Sequence, residues 1–530
     1  IHFFDGFRTS HEIQKIDDIS DEQIQKLLPL EEIKKFKARA LSSSNPSQGG
    51  TAQNPDVFFQ NREASNVYYD KAYSIIQKTM EDFEKVVGRK YRPFEYYGNP
   101  NAENVVIVMG SASQTFKDVV KTLEENKEFE ELGKVGVLNV RLFRPWNANA
   151  LLNALPKTVK NIAVLDRTKE SGALGEPLLT DVKASLFGKN INIIGGRYGL
   201  GSKELTREDA VSVFENLAGE KKNPFTVGIF DDVTNLSLPL SSKTISKFME
   251  IENDNLLELM FFGLGSDGTV SANKNSIKII GNSTNKFVQG YFEYDSKKSG
   301  SLTVSHLRIS NDEILMPYEI RKANFIAIHN YSFINKFDIL GHLKQNGTVL
   351  LNTVLSEEEL NENLPIFFKK DLIKKNAKLY IINAQKIANE LGLGNKINII
   401  MQSCFFKTSK VIDFELAKEK MIEAVRKTYG RKGEKVVQAN EKAVLCANEI
   451  KEVNLNLLDE KSYSKTESFE ADSCSGICSK CPKFEAECKF ANEIMQKISK
   501  REGNDLPVSS FSPDGVVPTN TSQFEKRGIA

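Results

Sequence analysis

LLELMFFGLGSDGTVSANKNSIKIIG (256–281) opens on an apolar run, passes through three glycines and continues in a helical pattern. A strand that turns sharply into a helix is the building unit of an α/β fold, and its turn is where such folds hold ligands. Gly263, Gly265 and Gly268 spell G-x-G-x-x-G. Glycines let a backbone approach a phosphate, and the N–H groups of a helix N-terminus face it. Ser266 and Thr269 add hydroxyls, and Lys274 just inside the helix adds a charge. On the motif alone three readings stay open: some phosphate-bearing ligand, a nicotinamide dinucleotide, or a tight turn that packs helix on strand. The dinucleotide reading wants an acidic residue about 20 positions further on, and Glu293 and Asp295 both lie late for it.

Outward from this stretch, further strands are expected at 286–295, 301–309, 325–330, 348–352, 379–383 and 397–402 (INIIMQ). Upstream, the apolar runs NVVIVMG (104–110), VGVLNVRLF (135–143), NIAVLDR (161–167) and NINIIGG (190–196) alternate with helical patterns. Continuous apolar strands separated by helices imply a parallel sheet covered on both faces. Residues 65–87 read as a helix, and DISDEQIQ (18–25) carries a capping-type helix start. A helix is expected at LAKEKMIEAVRKTYG (416–430), and the tail beyond it is loop-rich. Asp166-Arg167-Thr168-Lys169-Glu170 follows a strand end, where α/β sites sit, and reads first as a salt-bridge and turn network.

The 530 residues suggest three or four domains, and 40% hydrophobic with 27% charged residues is ordinary globular composition. A formal net charge of +1 gives no general attraction to nucleic acid or to an anionic membrane. No apolar run reaches the roughly 18 residues of a membrane span. The start, Ile1-His2-Phe3-Phe4, reads as mid-domain sequence, so the chain is expected to be a fragment. Six cysteines are too few for a disulfide scaffold and point to a reducing compartment. Four of them, Cys474, Cys478, Cys481 and Cys488, give C-x3-C-x2-C-x6-C. Thiolates this close could hold zinc or an iron–sulfur cluster, or form an insertion with free thiols. The five histidines are scattered, with no catalytic ordering.

Several long motifs together resemble pyruvate:ferredoxin (flavodoxin) oxidoreductases, including fusions that reduce NADP. FFGLGSDGTVSANKNSIKIIG resembles the hallmark of their gamma-type domain; SKKSGSLTVSHLRIS (296–310) and INIIMQSCFFK (397–407) are similar to family segments. FFDGFRTSHEIQKI (3–16) is similar to the end of the pyruvate-binding first domain, and DRTKESGALGEPL (166–178) to the transketolase C-terminal-like second domain. GEKVV (433–437) and FEKRGIA (524–530) resemble the EKR domain.

The resemblance implies a multidomain α/β chain divided as 1–95 (end of the first domain and linker), 96–240 (transketolase C-terminal-like, doubly wound), 241–415 (gamma-type) and 416–530 (EKR). It implies that Ser266, Asp267, Gly268, Thr269 and Val270 cradle coenzyme A, with Lys298 pairing a phosphate and Asn440 adding an amide contact. Asn398, in the strand expected before Gln402, is a further candidate. It implies oxidative decarboxylation of pyruvate to acetyl-coenzyme A, with thiamine diphosphate, Mg and [4Fe-4S] clusters in the full-length enzyme. Ferredoxin or flavodoxin is the implied acceptor, a homodimer the implied assembly, and the cytoplasm or a mitochondrion-related organelle the implied location. No catalytic residue is expected in this segment, and the segment alone is expected to show no turnover. The cysteine cluster departs from the family pattern.

Overall fold

The computed structural model describes residues 2, 4–6, 8–46, 53–294, 302–458, 489–519 and 521. They divide into two compact units, one made of Ile16–Gly228 and Leu238–Ser246, the other of Ile1–Lys15, Ile229–Ser237 and Lys247–Ala530.

The short strand β1 (Glu12–Gln14) precedes four helices, α1 (Asp21–Leu27), α2 (Leu30–Ala38), α3 (Pro55–Ala64) and α4 (Asn66–Val87). The Ser20 hydroxyl accepts the Gln23 N–H while the Gln23 side chain accepts the Ser20 N–H, the expected reciprocal cap of α1. None of the four helices has a fully buried residue.

There follow β2 (Phe94–Gly98), β3 (Asn104–Val108), α5 (Ala112–Glu125), β4 (Val135–Val140), α6 (Ala148–Ala154), β5 (Asn161–Asp166), α7 (Pro177–Ser185), β6 (Asn192–Arg197), α8 (Arg207–Ala218) and β7 (Phe225–Thr226). Their sheet has the order β2-β4-β3-β5-β6-β7, parallel except for β2. Both faces are covered: Ile107, Leu138 and Val164 pack with Leu151 of α6 and Val182 of α7, while Phe116 of α5 meets Phe214 of α8 edge to face. Burial on both sides is why these strands read as unbroken apolar runs.

Helix α9 (Lys243–Met249) leads into the second sheet. Its elements are β8 (Leu256–Leu264), α10 (Thr269–Ser283), β9 (Phe287–Tyr294), β10 (Leu302–Ser310), β11 (Ala323–Ile328), β12 (Leu343–Asn352), α11 (Glu357–Asn363), α12 (Ile366–Lys374), β13 (Lys378–Ile382), α13 (Ala384–Glu390), α14 (Asn398–Ser409), α15 (Phe414–Tyr429), α16 (Glu434–Leu445) and β14 (Lys451–Val453). The strand order is β1-β9-β10-β8-β11-β12-β13-β14. β8, β11, β12 and β13 are parallel, β10 is antiparallel to β8 and β9, and β1 and β14 close the two edges antiparallel. One core layer holds Phe261, Ile277, Leu307, Phe405 and Met421, and the other holds Phe262, Ile326, Leu351 and Leu372. The chain is thus mixed α/β with two sheets, in line with the expected class.

Residues 397–402 differ from expectation. INIIMQ is not a strand but the first turns of α14. Ile399 through Phe406 are all buried, so the segment is apolar on every side and shows neither period. An apolar run of this kind does not distinguish a strand from a helix packed all round. Among the described residues no helix is long and apolar enough to cross a membrane.

Candidate functional site

From β8 the chain crosses by α10 to β9 on one side, whereas β11, β12 and β13 are added on the other. The carboxyl end of β8 is therefore a topological switch point, where adjacent loops part and leave a crevice. The loop 264–268 and the start of α10 lie there.

The loop is shaped by its own residues. Ser266 and Gly268 have φ of +74° and +89°, a left-handed backbone that is natural for glycine and uncommon for serine. The Asp267 carboxylate accepts the N–H of Leu264 (2.8 Å) and of Thr269 (2.7 Å), and the Asp267 N–H donates to the Leu264 carbonyl (3.1 Å). Asp267 thereby caps the first turn of α10. Among the described residues the N–H groups of Ser266, Gly268, Val270 and Ser271 make no hydrogen bond. They are open donors at the positive end of a 15-residue helix.

Thr269 is 1% exposed, and its hydroxyl is turned inward to His329 Nδ1 at 2.8 Å. His329 follows the end of β11. Its N–H donates to the Phe262 carbonyl (2.9 Å), and its carbonyl accepts from Asn352 Nδ2 (3.0 Å). Burial pushes the ring down to about 4, against the opposing pull of Asp267, so it is neutral at neutral pH. Sequence reading left His329 among scattered histidines. Its signal was its place, directly after an apolar strand whose neighbour carries the glycine loop.

Asn398 begins α14 and lies against the loop: a Cβ on Gly268 would stand 3.1 Å from its Cγ. Asn440 is buried on α16, and its amide donates to the Val436 carbonyl one turn back (2.8 Å). Among the described residues no hydrogen bond joins Asn440 to the loop. Lys298 and the cluster Cys474, Cys478, Cys481 and Cys488 lie outside the described residues. Of the two described cysteines, Cys404 is fully buried with its thiol pushed up by burial, and is inert in that form.

Glu293, His306 and Glu319 bring three possible metal-ligand atoms within 4.8 Å of one another. The donor arrangement does not suit a metal. His306 Nδ1 accepts the N–H of Ile320 (3.2 Å), which leaves the proton of the neutral ring on Nε2, facing Glu293 at 3.4 Å. Arg501 also pairs with Glu293. At the end of β5, Asp166 accepts the N–H groups of Leu178 (2.9 Å) and Leu179 (3.1 Å), Arg167 donates to the Gly199 carbonyl (2.9 Å), and Glu176 pairs with Arg197 (3.3 Å). This is a turn network within one unit.

Family models match in chain order: "Pyruvate flavodoxin/ferredoxin oxidoreductase, thiamine diP-bdg" at 1–81, "Pyruvate:ferredoxin oxidoreductase core domain II" at 102–210, "Pyruvate ferredoxin/flavodoxin oxidoreductase" at 258–450, and EKR, a domain of unknown function, at 479–530. The third spans the glycine loop, His329, Asn398 and Asn440. The chain belongs to the pyruvate:ferredoxin/flavodoxin oxidoreductase family. It is 46% identical to the pyruvate:ferredoxin oxidoreductase of Moorella thermoacetica, over 100% of this chain and 44% of that protein. It is 42% identical to the pyruvate dehydrogenase [NADP(+)] of Cryptosporidium parvum, over 100% of this chain and 28% of that protein. The chain thus spans less than half the length of these relatives. Among solved structures, pyruvate oxidoreductase subunit PORC of Thermotoga maritima aligns with a TM-score of 0.31 and 18% identity, over 38% of this chain and 100% of that one.

Proposed function

We propose that this chain supplies the coenzyme A site of a pyruvate oxidoreductase, at Ser266–Val270 with Asn398, Asn440 and Lys298. The observation that carries the reading is the loop after β8: a switch-point crevice whose helix N-terminus keeps open N–H donors although Asp267 already caps it. Phosphate and amide oxygens of the coenzyme are acceptors for such donors. The 42–46% identity to curated pyruvate oxidoreductases over the full chain adds the substrate. In the whole reaction pyruvate and coenzyme A give acetyl-coenzyme A, carbon dioxide, a proton and two electrons. The electrons pass through [4Fe-4S] clusters to ferredoxin or flavodoxin. A homodimer in the cytoplasm is part of the same reading, and the free, buried thiol of Cys404 is at home in a reducing compartment.

Thiamine diphosphate, with Mg, would supply the decarboxylation chemistry. The described residues matched to its model do not form a pocket for it, since the side chains of α1–α4 are all at least partly exposed. No step is therefore routed through these residues. The role of this chain in that reading is confined to binding and orienting the acyl acceptor at Ser266–Val270.

Calorimetric titration of the folded chain with coenzyme A, with NAD as control, tests the proposal. Heat with coenzyme A alone is expected. Silence with coenzyme A overturns it, and heat with NAD instead favours the dinucleotide reading.

A further inference from the structure

We propose that His329 is a positioning residue for the coenzyme A loop, acting through the hydroxyl of Thr269. The proposal rests on the coenzyme A reading of that loop and adds a residue to it.

The main chain of His329 is held on both sides before its ring meets the loop. The His329 N–H donates to the Phe262 carbonyl of β8, and its carbonyl accepts from the amide of Asn352, the last residue of β12, whose side chain in turn accepts the N–H of Ala384 at the start of α13 (3.0 Å). A buried residue whose main chain is tied to β8 and β12, and through Asn352 to α13, is a fixed reference point at the floor of the crevice. From it a single hydrogen bond of 2.8 Å reaches Thr269. Thr269 is the first residue of α10, and its N–H is one of the two held by Asp267. The histidine, the threonine and the aspartate therefore form one chain of contacts, from the sheet to the residue that sets the loop.

Gly263 fits this scheme. A Cβ at Gly263 would stand 2.5 Å from Thr269 Oγ1 and 2.7 Å from Thr269 Cβ. The first glycine of the motif is needed because the threonine side chain tucks over the strand on its way to His329. Of the readings that the motif left open, the packing of helix on strand is the one Gly263 serves, since its space goes to Thr269. The Thr269 hydroxyl is consequently not a ligand donor. What position 269 contributes to the crevice is a fixed helix start, with the N–H groups of Val270 and Ser271 aimed by it.

A rigidly presented set of donors binds with less loss of freedom than a mobile one. Removing the hydroxyl should weaken coenzyme A binding by about tenfold, the worth of one buried hydrogen bond. The test titrates the full chain with coenzyme A as Thr269→Val, Thr269→Ser, His329→Leu, and the Thr269→Val/His329→Leu double variant. It also follows amide hydrogen exchange at 265–271. Expected are weaker binding and faster loop exchange in Thr269→Val, near-native behaviour in Thr269→Ser, and a double variant no weaker than its worse parent. Two residues acting only through each other are non-additive in this way. Unchanged affinity in a folded Thr269→Val, failure of serine to rescue, or additive losses in the double variant would each overturn the proposal. Should the wild-type chain give no heat with coenzyme A, the coenzyme A reading fails, and loop exchange judges the His329–Thr269 pair by itself: unchanged protection in Thr269→Val sinks it.

Discussion

At the carboxyl end of β5, Asp166 accepts the N–H groups of Leu178 and Leu179 at the start of α7. At the carboxyl end of β8, Asp267 accepts that of Leu264, the last residue of the strand, and that of Thr269, the first of α10. Both carboxylates serve a parallel strand's exit, yet they leave different things behind. Helix α7 opens with Pro177, which has no N–H, so Asp166 consumes the donors of its first turn. Helix α10 opens with Thr269, and the N–H groups of Val270 and Ser271 stay open. At the first helix start the protein takes the donors itself, and at the second it leaves two of them open. Topology supplies the place, and one or two residues decide whether it is a structural joint or a site.

The contrast is widest in acid. His329 is held neutral by burial, at about 4 against an ordinary value of 6.5. Between those values the unfolded chain takes up a proton that the folded chain refuses, so stability is lost as pH falls through the window and is unaffected above it. The whole effect is on the order of 3 kcal/mol at one 1.4 kcal/mol step per unit. Urea unfolding from pH 7 to pH 4 should show the gap between wild type and His329→Asn narrowing toward acid; a constant gap breaks the claim. Asp166 works in the opposite sense. Burial raises its carboxyl, so its contribution to stability grows as pH falls through the window above the ordinary carboxylate value.

Next in size is Asp166→Ala. It strands two buried N–H groups and should cost about 2 kcal/mol in urea unfolding, while coenzyme A titration stays as in the wild type. A loss of binding would make the β5 crevice part of the site. Gly268→Ala is the converse. A left-handed alanine costs about 1–2 kcal/mol, and its methyl would press on Asn398. Coenzyme A affinity should fall, whereas Gly110→Ala, at φ +69° in the loop that follows β3 beside β5, should cost stability alone. Equal effects of the two on binding would erase the distinction between the crevices. The smallest effect belongs to Arg501→Ala. Its pairing with Glu293 is partly exposed, and its loss should cost under about 1 kcal/mol and fade with added salt. Metal content of the purified chain should not change in His306→Ala, and a drop would restore the metal reading of that cluster.

Much of this was legible in the sequence, because parallel strands buried on both faces announce themselves as apolar runs. β3, β4 and β5 fall inside three of the runs chosen upstream, β6 passes the end of the fourth by one residue, and β8 with most of α10 falls on the quoted stretch. Residues 397–402 failed because a helix wrapped by α10, α15 and α16 has no polar face to give it a period. In the site, glycine spacing marked the loop but left open whether Gly263 admits a phosphate or packs helix on strand, and nothing in the spacing of five histidines marked His329. Its partner, Thr269, stands 60 residues away. Sequence separation of this kind hides a contact that only sheet order brings together.

That separation has a further consequence at the sheet edges. β1 belongs to the first residues of the chain, yet Ile13 finds its partner only at Gly290, and β14 closes the other edge with residues 451–453. At roughly 5–20 residues per second of synthesis, β1 emerges many seconds before the strand it completes, and the β13 edge stays bare until the helices α14–α16 have been made. For that interval the nascent sheet has unpaired edges, which is when strand-to-strand misassociation with another copy is most open. The sheet that carries the glycine loop thus pairs its edges across long stretches of chain, and expression conditions that slow elongation should favour aggregation of this unit.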